Sequence, residues 1–363
     1  MTIAIDCRMI NSSGIGVYLR GILPFFLEST HQFFLLGNTN HLNTYSSYSN
    51  VTIFEYKIKP FSIKDIIFFP FYKLCRQVKQ ADIFYSPFIS FPGGINIPVF
   101  ATIHDMVFSD MPEITSRIGH IIRMWFFRRA YRKSRKIFTV SEFSKSRIEC
   151  HLGKKKPIII TYSAILKMFF KYKENYPTVM KKEIIVFVGN IKKHKGINCL
   201  LDAFSEAIKE GLHYKLIIIG SKENFRTEND DILRKIDSYS PEEIQFTGFI
   251  SDDNLMKCLA EAALIVQPSL YEGFGLPPLE AMILGTKALI SDIPVFKEIY
   301  EDFPVTFFRS GDILDLKNNL LDLLLNKPVE NIYLPKHLVE KYSFQKTADI
   351  ILRNLTIKES EPQ

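Results

Sequence analysis

The chain has 363 residues, 47% of them apolar and 23% charged, which is ordinary globular composition and long enough for two domains, each with its own core. No apolar run reaches the roughly 18 residues of a membrane span, and the N-terminus reads as a buried strand rather than a leader, so a cytoplasmic location is expected. Charge is uneven: residues 1–170 hold 22 Lys and Arg against 10 Asp and Glu (+12), the rest 24 against 29 (−5), giving the net +7. A basic first half points to a polyanion or an anionic membrane surface as its neighbour. The five cysteines (Cys7, Cys75, Cys150, Cys199, Cys258) are odd in number and widely spaced, which argues against a disulfide framework or a zinc site.

In chain order, short apolar runs alternate with helical periodicity. The first strand, Thr2–Ile5, is followed by Gly14-Ile15-Gly16 and a helix Gly16–Leu27. A glycine turn opening a helix points N–H groups at an anion, although the spacing is not that of a dinucleotide fingerprint. Strands follow at Phe33–Leu36, Val51–Phe54, Ile83–Ser86 and Val99–Ile103, with a helix Ile63–Gln80 among them. His104-Asp105 stands at the end of the strand Val99–Ile103, where an imidazole can bind a substrate hydroxyl and the carboxylate can orient it.

The helix Ser116–Lys133 places His120, Met124, Phe127 and Tyr131 on one apolar stripe beside a basic one. That basic face is either solvated or lies on anionic lipid. No zinc finger, aromatic RNA-binding signature or helix-turn-helix is present, so nucleic acid is not an expected partner. Ser141 is a helix cap after the strand Ile137–Val140, and Ile158–Thr161 is the last strand of this half. Residues 166–182, rich in Lys and Tyr and without clear periodicity, read as the domain boundary.

The second half repeats the alternation, with strands at Glu183–Val188, Tyr214–Ile219, Ile244–Phe246, Leu264–Gln267, Lys287–Ile290 and Val305–Phe308. Helices fall near Ile197–Glu210, Glu228–Ser238, Asp252–Glu261, Pro278–Leu284, Asp312–Leu325 and Ser343–Leu355, before a polar tail Lys358–Gln363. Such βαβ order predicts an α/β chain with two doubly wound parallel sheets. Gly189-Asn190-Ile191-Lys192-Lys193-His194-Lys195-Gly196 follows a strand, and lysines there suit a diphosphate. In PSLYEGFGLPPLEAM, Glu272 belongs to a glycine loop and Glu280 to the first turn of a helix opening near Pro278. Both can then face a pocket at the carboxyl end of a strand.

These stretches in this order resemble glycosyltransferase family 4. Glu272 to Glu280 looks like its E-x7-E signature; FTGFISDDNL, SDIPVFKEI, IDCRMINSSGIGVYLR, ATIHDMVF and FTVSEFSKSRI extend the likeness over nearly the whole chain. The resemblance implies a GT-B fold, two Rossmann-like domains facing each other across a cleft. They would be residues 1–168 on the acceptor side and 180–342 on the nucleotide-sugar side, with the helix 343–357 packing back on the first. It implies that Glu280 holds the donor ribose, and that Glu272 and His104 lie near the transferred sugar. Lys195 would bind phosphate, and Gly14 and Gly16 would lie beside the diphosphate. The backbone at Phe274, Gly275 and Leu276 would meet sugar and diphosphate, and Phe249 and Ile250 the base. Asn190 stands where many members carry Arg, a departure that Lys192 or Lys193 would have to offset.

The implied activity is retaining transfer of a hexose, mannose before rhamnose, from a GDP- or dTDP-linked donor. No metal and no other cofactor is expected. The acceptor would be a glycan or lipid-linked oligosaccharide of a bacterial surface polysaccharide such as O-antigen, with peripheral contact on the inner face of the membrane. A sugar-nucleotide epimerase and a non-catalytic membrane- or polyanion-binding module are the competing readings.

Overall fold

The computed structural model describes residues 1–12, 14–220, 230–326 and 329–357. Thirteen strands form in the order β1 (Thr2–Asp6), β2 (Gln32–Gly37), β3 (Val51–Glu55), β4 (Ile83–Ser86), β5 (Val99–Thr102), β6 (Ser134–Thr139) and β7 (Ile158–Ile160), then β8 (Lys182–Val188), β9 (Lys215–Ile219), β10 (Ile244–Gly248), β11 (Ala262–Gln267), β12 (Lys287–Ser291) and β13 (Val305–Phe308). They make two all-parallel sheets, ordered β3-β2-β1-β4-β5-β6-β7 and β10-β9-β8-β11-β12-β13. Central strands such as β4 and β11 are buried at every residue, because helices cover both faces of a parallel sheet.

The chain divides into two compact units: residues 1–166 joined by the segment from Tyr342 onward, and Lys167–Lys341. In the first, the final helix Phe344–Thr356 packs on the helix Gly14–Leu27. Phe344 lies so close to Gly21 that a Cβ there would stand 2.3 Å from its ring. Thr347 Oγ1 donates to the Tyr162 carbonyl at 2.6 Å and Lys136 Nζ to Asn354 Oδ1 at 3.3 Å, fixing the helix along its length. In the second unit one core runs from Ile185 and Phe187 through the helix Ile197–Lys209 to Leu316 and Leu320.

Three expectations change, and a fourth lies partly outside the described residues. The helix expected over Ile63–Gln80 is broken into Ile63–Ile67, a single 3₁₀ turn Phe69–Phe71, and Lys73–Val78. Pro70 lacks the N–H that a continuous helix needs and disfavours helical geometry at Phe69. The stretch 166–182 contains a helix, Lys167–Asn175, seated in the second unit through buried Phe169 and through Lys173, whose Nζ stands 5.2 Å from the centre of the Tyr333 ring. The helix after the glycine loop starts at Leu276, not Pro278, so Glu280 lies in its second turn. The expected helix Glu228–Ser238 appears as Asp230–Asp237; residues 228 and 229 and the tail 358–363 lie outside the described residues.

The helix Arg117–Lys133 buries Met124, Phe127 and Tyr131 as its periodicity requires. Its exposed face, however, carries Ile118, Ile121, Ile122 and Trp125 in solvent over the first half, after exposed Arg117, and its cations cluster from Arg128 onward.

Candidate functional site

In each sheet the chain order reverses between two neighbouring strands, and the loops leaving such a pair at their carboxyl ends diverge to leave a crevice. In the second unit that pair is β8 and β11. The loop after β8 runs to Gly196, and the loop after β11 runs from Pro268 to Gly275.

The two loops are stitched by backbone. Leu270 N–H and Tyr271 N–H donate to the His194 carbonyl at 2.8 and 3.3 Å. Gly196 adopts left-handed φ of +66°, and a Cβ there would lie 1.8 Å from the Pro268 carbonyl oxygen. Only glycine allows this approach. On this frame Lys195 closes a short 3₁₀ turn, Lys193–Lys195, and its Nζ donates to both carboxylate oxygens of Glu272 at 2.7 Å. Ser269 Oγ donates to Glu272 Oε1 at 2.7 Å, and Gln267 Nε2 donates to Ser269 Oγ at 3.2 Å. Glu272 is only 9% exposed, so its charge is met by an ammonium and a hydroxyl rather than by water.

The glycine loop ends on Gly275 at φ +85°, whose carbonyl accepts from the buried Tyr300 hydroxyl. A Cβ at Gly275 would meet the Phe296 ring at 2.3 Å, so the helix Pro294–Tyr300 backs the loop directly. The helix Leu276–Ile283 then begins, with Pro277 and Pro278 in its first turn. Neither proline has an N–H, so the backbone donors nearest the helix start belong to Phe274, Gly275 and Leu276. Glu280, 7% exposed, lies one turn further on.

Asn190 follows β8, while Lys192 and Lys193 are exposed on the same loop. Buried His194 has its imidazole held neutral: desolvation, and then Lys195 and Lys192, lower its pKa to about 3. Beyond edge strand β10, after Gly248 at φ +70°, Phe249 stands 87% exposed with Ile250 half-buried beside it. A large apolar ring in solvent at a strand's carboxyl end is a ready stacking platform.

In the first unit the reversal lies between β1 and β4. Gly14 opens the helix Gly14–Leu27 with open space around it, whereas a Cβ on Gly16 would lie 2.5 Å from the Ile10 carbonyl oxygen. From the same helix Tyr18 packs edge-on to His104, ring centres 5.1 Å apart, and donates to Thr161 Oγ1 at 2.7 Å. His104 Nε2 lies 2.8 Å from the Pro87 carbonyl. A carbonyl only accepts, so Nε2 carries the proton and Nδ1 of the neutral ring is an acceptor. Burial lowers the His104 pKa and outweighs the opposing pull of the Pro87 carbonyl and Asp105.

Asp105 follows the imidazole in the chain, and its charge opposes the lowering of the ring's pKa. Its Oδ1 accepts from Val107 N–H at 3.0 Å and starts the short helix Val107–Asp110, and the carbonyl of Pro87 orients the imidazole. Ser141 caps its helix by accepting from Ser144 N–H at 3.0 Å, and Ser144 Oγ donates to the His104 carbonyl at 3.0 Å.

The structure thus brings Lys195 and Glu272 into contact, and it sets His104 against Tyr18 of the helix that also carries Gly14 and Gly16. Reading the sequence missed Tyr18, Ser269, Phe296 and Tyr300. A Ser two residues after a strand or a Tyr in an apolar helix carries no signal until its partner is placed.

Residues 12–165 match the family model described as Glycosyltransferase Family 4, and residues 168–338 the one described as Glycosyl transferases group 1. The serotype-specific mannosyltransferase WbdA of Escherichia coli is 31% identical over 205 residues, 54% of this chain and 24% of that protein. The O-antigen chain mannosyltransferase B of Escherichia coli is 27% identical over 233 residues, 61% of this chain and 59% of that protein. The chain therefore spans about a quarter of the first relative's length and under two thirds of the second's. Among solved structures, Anabaena HepE in complex with UDP and glucose superposes with a TM-score of 0.69 at 15% identity, covering 98% of this chain and 99% of that one. At that identity the likeness is one of fold. With the two family matches taking in residues 12–165 and 168–338, the chain belongs to the GT-B glycosyltransferases of family 4.

Proposed function

We propose that this protein is a retaining hexosyltransferase. It moves mannose, with rhamnose the next choice, from a GDP- or dTDP-linked donor to a lipid-linked or growing cell-surface polysaccharide. The observation that carries this reading is the Lys195–Glu272 pair, held at 2.7 Å on two loops locked at the β8/β11 reversal. The likeness to Escherichia coli mannosyltransferases supports the choice of sugar.

In the reaction the bond from the sugar's anomeric carbon to the diphosphate breaks and a bond to the acceptor oxygen forms on the same face. The acceptor proton passes to a phosphate oxygen of the departing nucleotide. Negative charge grows on that diphosphate, and a fixed cation with N–H dipoles lowers the barrier most where charge develops. Lys195 is that cation, and Phe274, Gly275 and Leu276 supply the N–H groups. Glu272 takes sugar hydroxyls when Lys195 turns to phosphate, so one carboxylate positions both partners. Glu280 holds the ribose, and Phe249 with Ile250 packs on the base. His104 presents neutral Nδ1 as an acceptor for a sugar hydroxyl.

Thermal shift across GDP-, UDP- and dTDP-sugars identifies the donor, because a ligand bound only to the native state raises the melting temperature. GDP-mannose or a dTDP-sugar is expected to give the largest rise. Lys195→Ala is expected to slow transfer about 10²–10³-fold, as removal of a preorganised charge donor does, and Glu280→Ala to abolish the thermal shift. Full activity in either variant sinks the site assignment, and release of epimerised nucleotide sugar without acceptor sinks the transfer reading. Transfer is expected to persist in EDTA.

A further inference from the structure

The first unit carries a second concave surface, at the end of its sheet away from His104. It is a cleft of about 520 Å³ lined by Ile95, Ile97 and Val99 and by Arg129, Lys133 and Arg135. Val99 opens β5 and pairs with Ser134, which opens β6, so the cleft lies at the amino ends of these strands. His104 follows β5 at its carboxyl end, and the length of a strand separates the two places.

One wall of the cleft is built in advance. Arg129 lies over the Phe91 ring, 4.2 Å from its centre, and donates to the Phe91 and Pro92 carbonyls at 2.9 and 3.0 Å. A Cβ on Gly93 would stand 1.8 Å from the Ile66 carbonyl oxygen, and one on Gly94, at φ +68°, 2.6 Å from the Pro70 ring. The chain from Phe91 to Gly94 is therefore seated before any ligand arrives, which keeps the ordering cost of binding low.

The charge of the cleft has no internal use. Residues 88–100 and 117–136 contain no Asp or Glu. The Arg129 guanidinium is met by carbonyls; burial pulls its pKa below the ordinary value, and the charge of Asp65 opposes this only in part. Cations near the end of a helix usually offset its dipole and bind its last carbonyls. At the end of the helix Arg117–Lys133 that task falls to Lys156, whose Nζ donates to the Arg132 carbonyl at 2.9 Å and to the Ser134 carbonyl. Lys133 and Arg135 are exposed and surplus to it.

A phosphate group suits such a set, with a guanidinium fork for two of its oxygens and an ammonium as a point charge. Ile95 and Ile97 offer the carbon skeleton an apolar floor, and the volume lies within the roughly 300–1,000 Å³ of small-molecule sites. We propose that this cleft binds a soluble phosphorylated small molecule, a phosphate monoester or diphosphate, at a site separate from the Lys195–Glu272 pair. It uses residues of the first unit alone and stands whether or not the transfer reading does.

Inorganic pyrophosphate is the probe, titrated by calorimetry into the full chain carrying Lys195→Ala, so that the lysine of the second unit contributes nothing. One saturable site is expected. Adding Lys133→Gln and Arg135→Gln should weaken it on the order of a hundredfold, two charge-assisted hydrogen bonds being lost. The melting temperature should hold, because both side chains are exposed. Should that pair fail to fold, Lys133→Gln alone should cost about tenfold. Arg128→Gln with Arg132→Gln removes the same charge from exposed positions outside the cleft and should weaken binding by less than about threefold. Heat that never saturates overturns the proposal. So does equal weakening by the two pairs, which would mean diffuse attraction rather than a site. Pyrophosphate that fails to bind, while phosphatidylglycerol vesicles are held through Lys133 and Arg135, would also overturn it and give the cleft to a lipid headgroup.

Discussion

The two units hold chemically opposite clusters. After β8 and β11 a buried carboxylate and an ammonium are pinned together on loops that share backbone hydrogen bonds. At the end of β5, by contrast, a neutral imidazole is held by one carbonyl and one tyrosine face. A fixed charge stripped of water is costly unless paired. Glu272 offsets that cost for Lys195, so the lysine is in place before any anion arrives. A neutral acceptor such as His104 Nδ1 needs no counter-charge, and depressing its pKa is the inexpensive way to keep it neutral. The sites divide by the charge of what they would meet, a diphosphate in one case and a hydroxyl in the other.

The sharpest way to break this comparison is to unlock one loop pair. Gly196→Ala puts a methyl 1.8 Å from the Pro268 carbonyl at a left-handed φ of +66°. The loops must part, losing the His194 carbonyl bonds and misplacing Lys195. We expect a loss of about 3 kcal/mol or more, from strain plus broken hydrogen bonds, and no measurable nucleotide-sugar binding by calorimetry. Gly14→Ala, with nothing within 4 Å of the new methyl, should change stability by no more than about 0.5 kcal/mol. Equal melting temperatures for the two variants would show that the stitching is not what holds the site.

Those two glycines also mark where the sequence was legible. The thirteen strands among the described residues and the order of the motifs were readable, because buried parallel strands are short apolar runs and their helices carry a clear period. Glu272 and Lys195 were each placed on the right loop, but their contact was not readable: they are 77 positions apart and meet only because β8 and β11 are neighbours. Asp105 is legible beside His104, but the bond its Oδ1 accepts from Val107 N–H, two residues on, shows only once the chain is folded. The basic helix was read from its charges; isoleucines that face solvent look, in sequence, like isoleucines that face a core.

A second test exploits the buried His194. Its pKa falls from 6.5 to about 3 on folding. The unfolded chain therefore binds a proton that the native state refuses, so stability drops as pH falls from about 6.5 toward 3. The full effect is on the order of 5 kcal/mol at the acid end, because each tenfold loss of proton affinity is worth about 1.4 kcal/mol. His194→Asn keeps the backbone carbonyl that receives Leu270 and Tyr271 while removing the titration. Its melting temperature should fall less steeply than the wild type's over that range. Parallel curves would mean that His194 is protonated in the native state and that the lysine loop is more hydrated than its burial implies.

The smallest expected effect lies in the first unit and concerns rate rather than stability. His104 is neutral with its proton on Nε2, so acidification converts Nδ1 from acceptor to donor. Because burial lowers its pKa, the acid limb of kcat/KM should fall below the usual imidazole range rather than within it. His104→Asn retains an amide but cannot titrate, so its rate should be reduced yet flat across that limb, with little change in melting temperature. A variant that kept the wild-type limb would move the titration to another group and leave His104 as packing against Tyr18. A limb displaced upward, toward neutral pH, would mean that a carboxylate rather than the Pro87 carbonyl governs the ring, reversing the contrast between the charged and the neutral site.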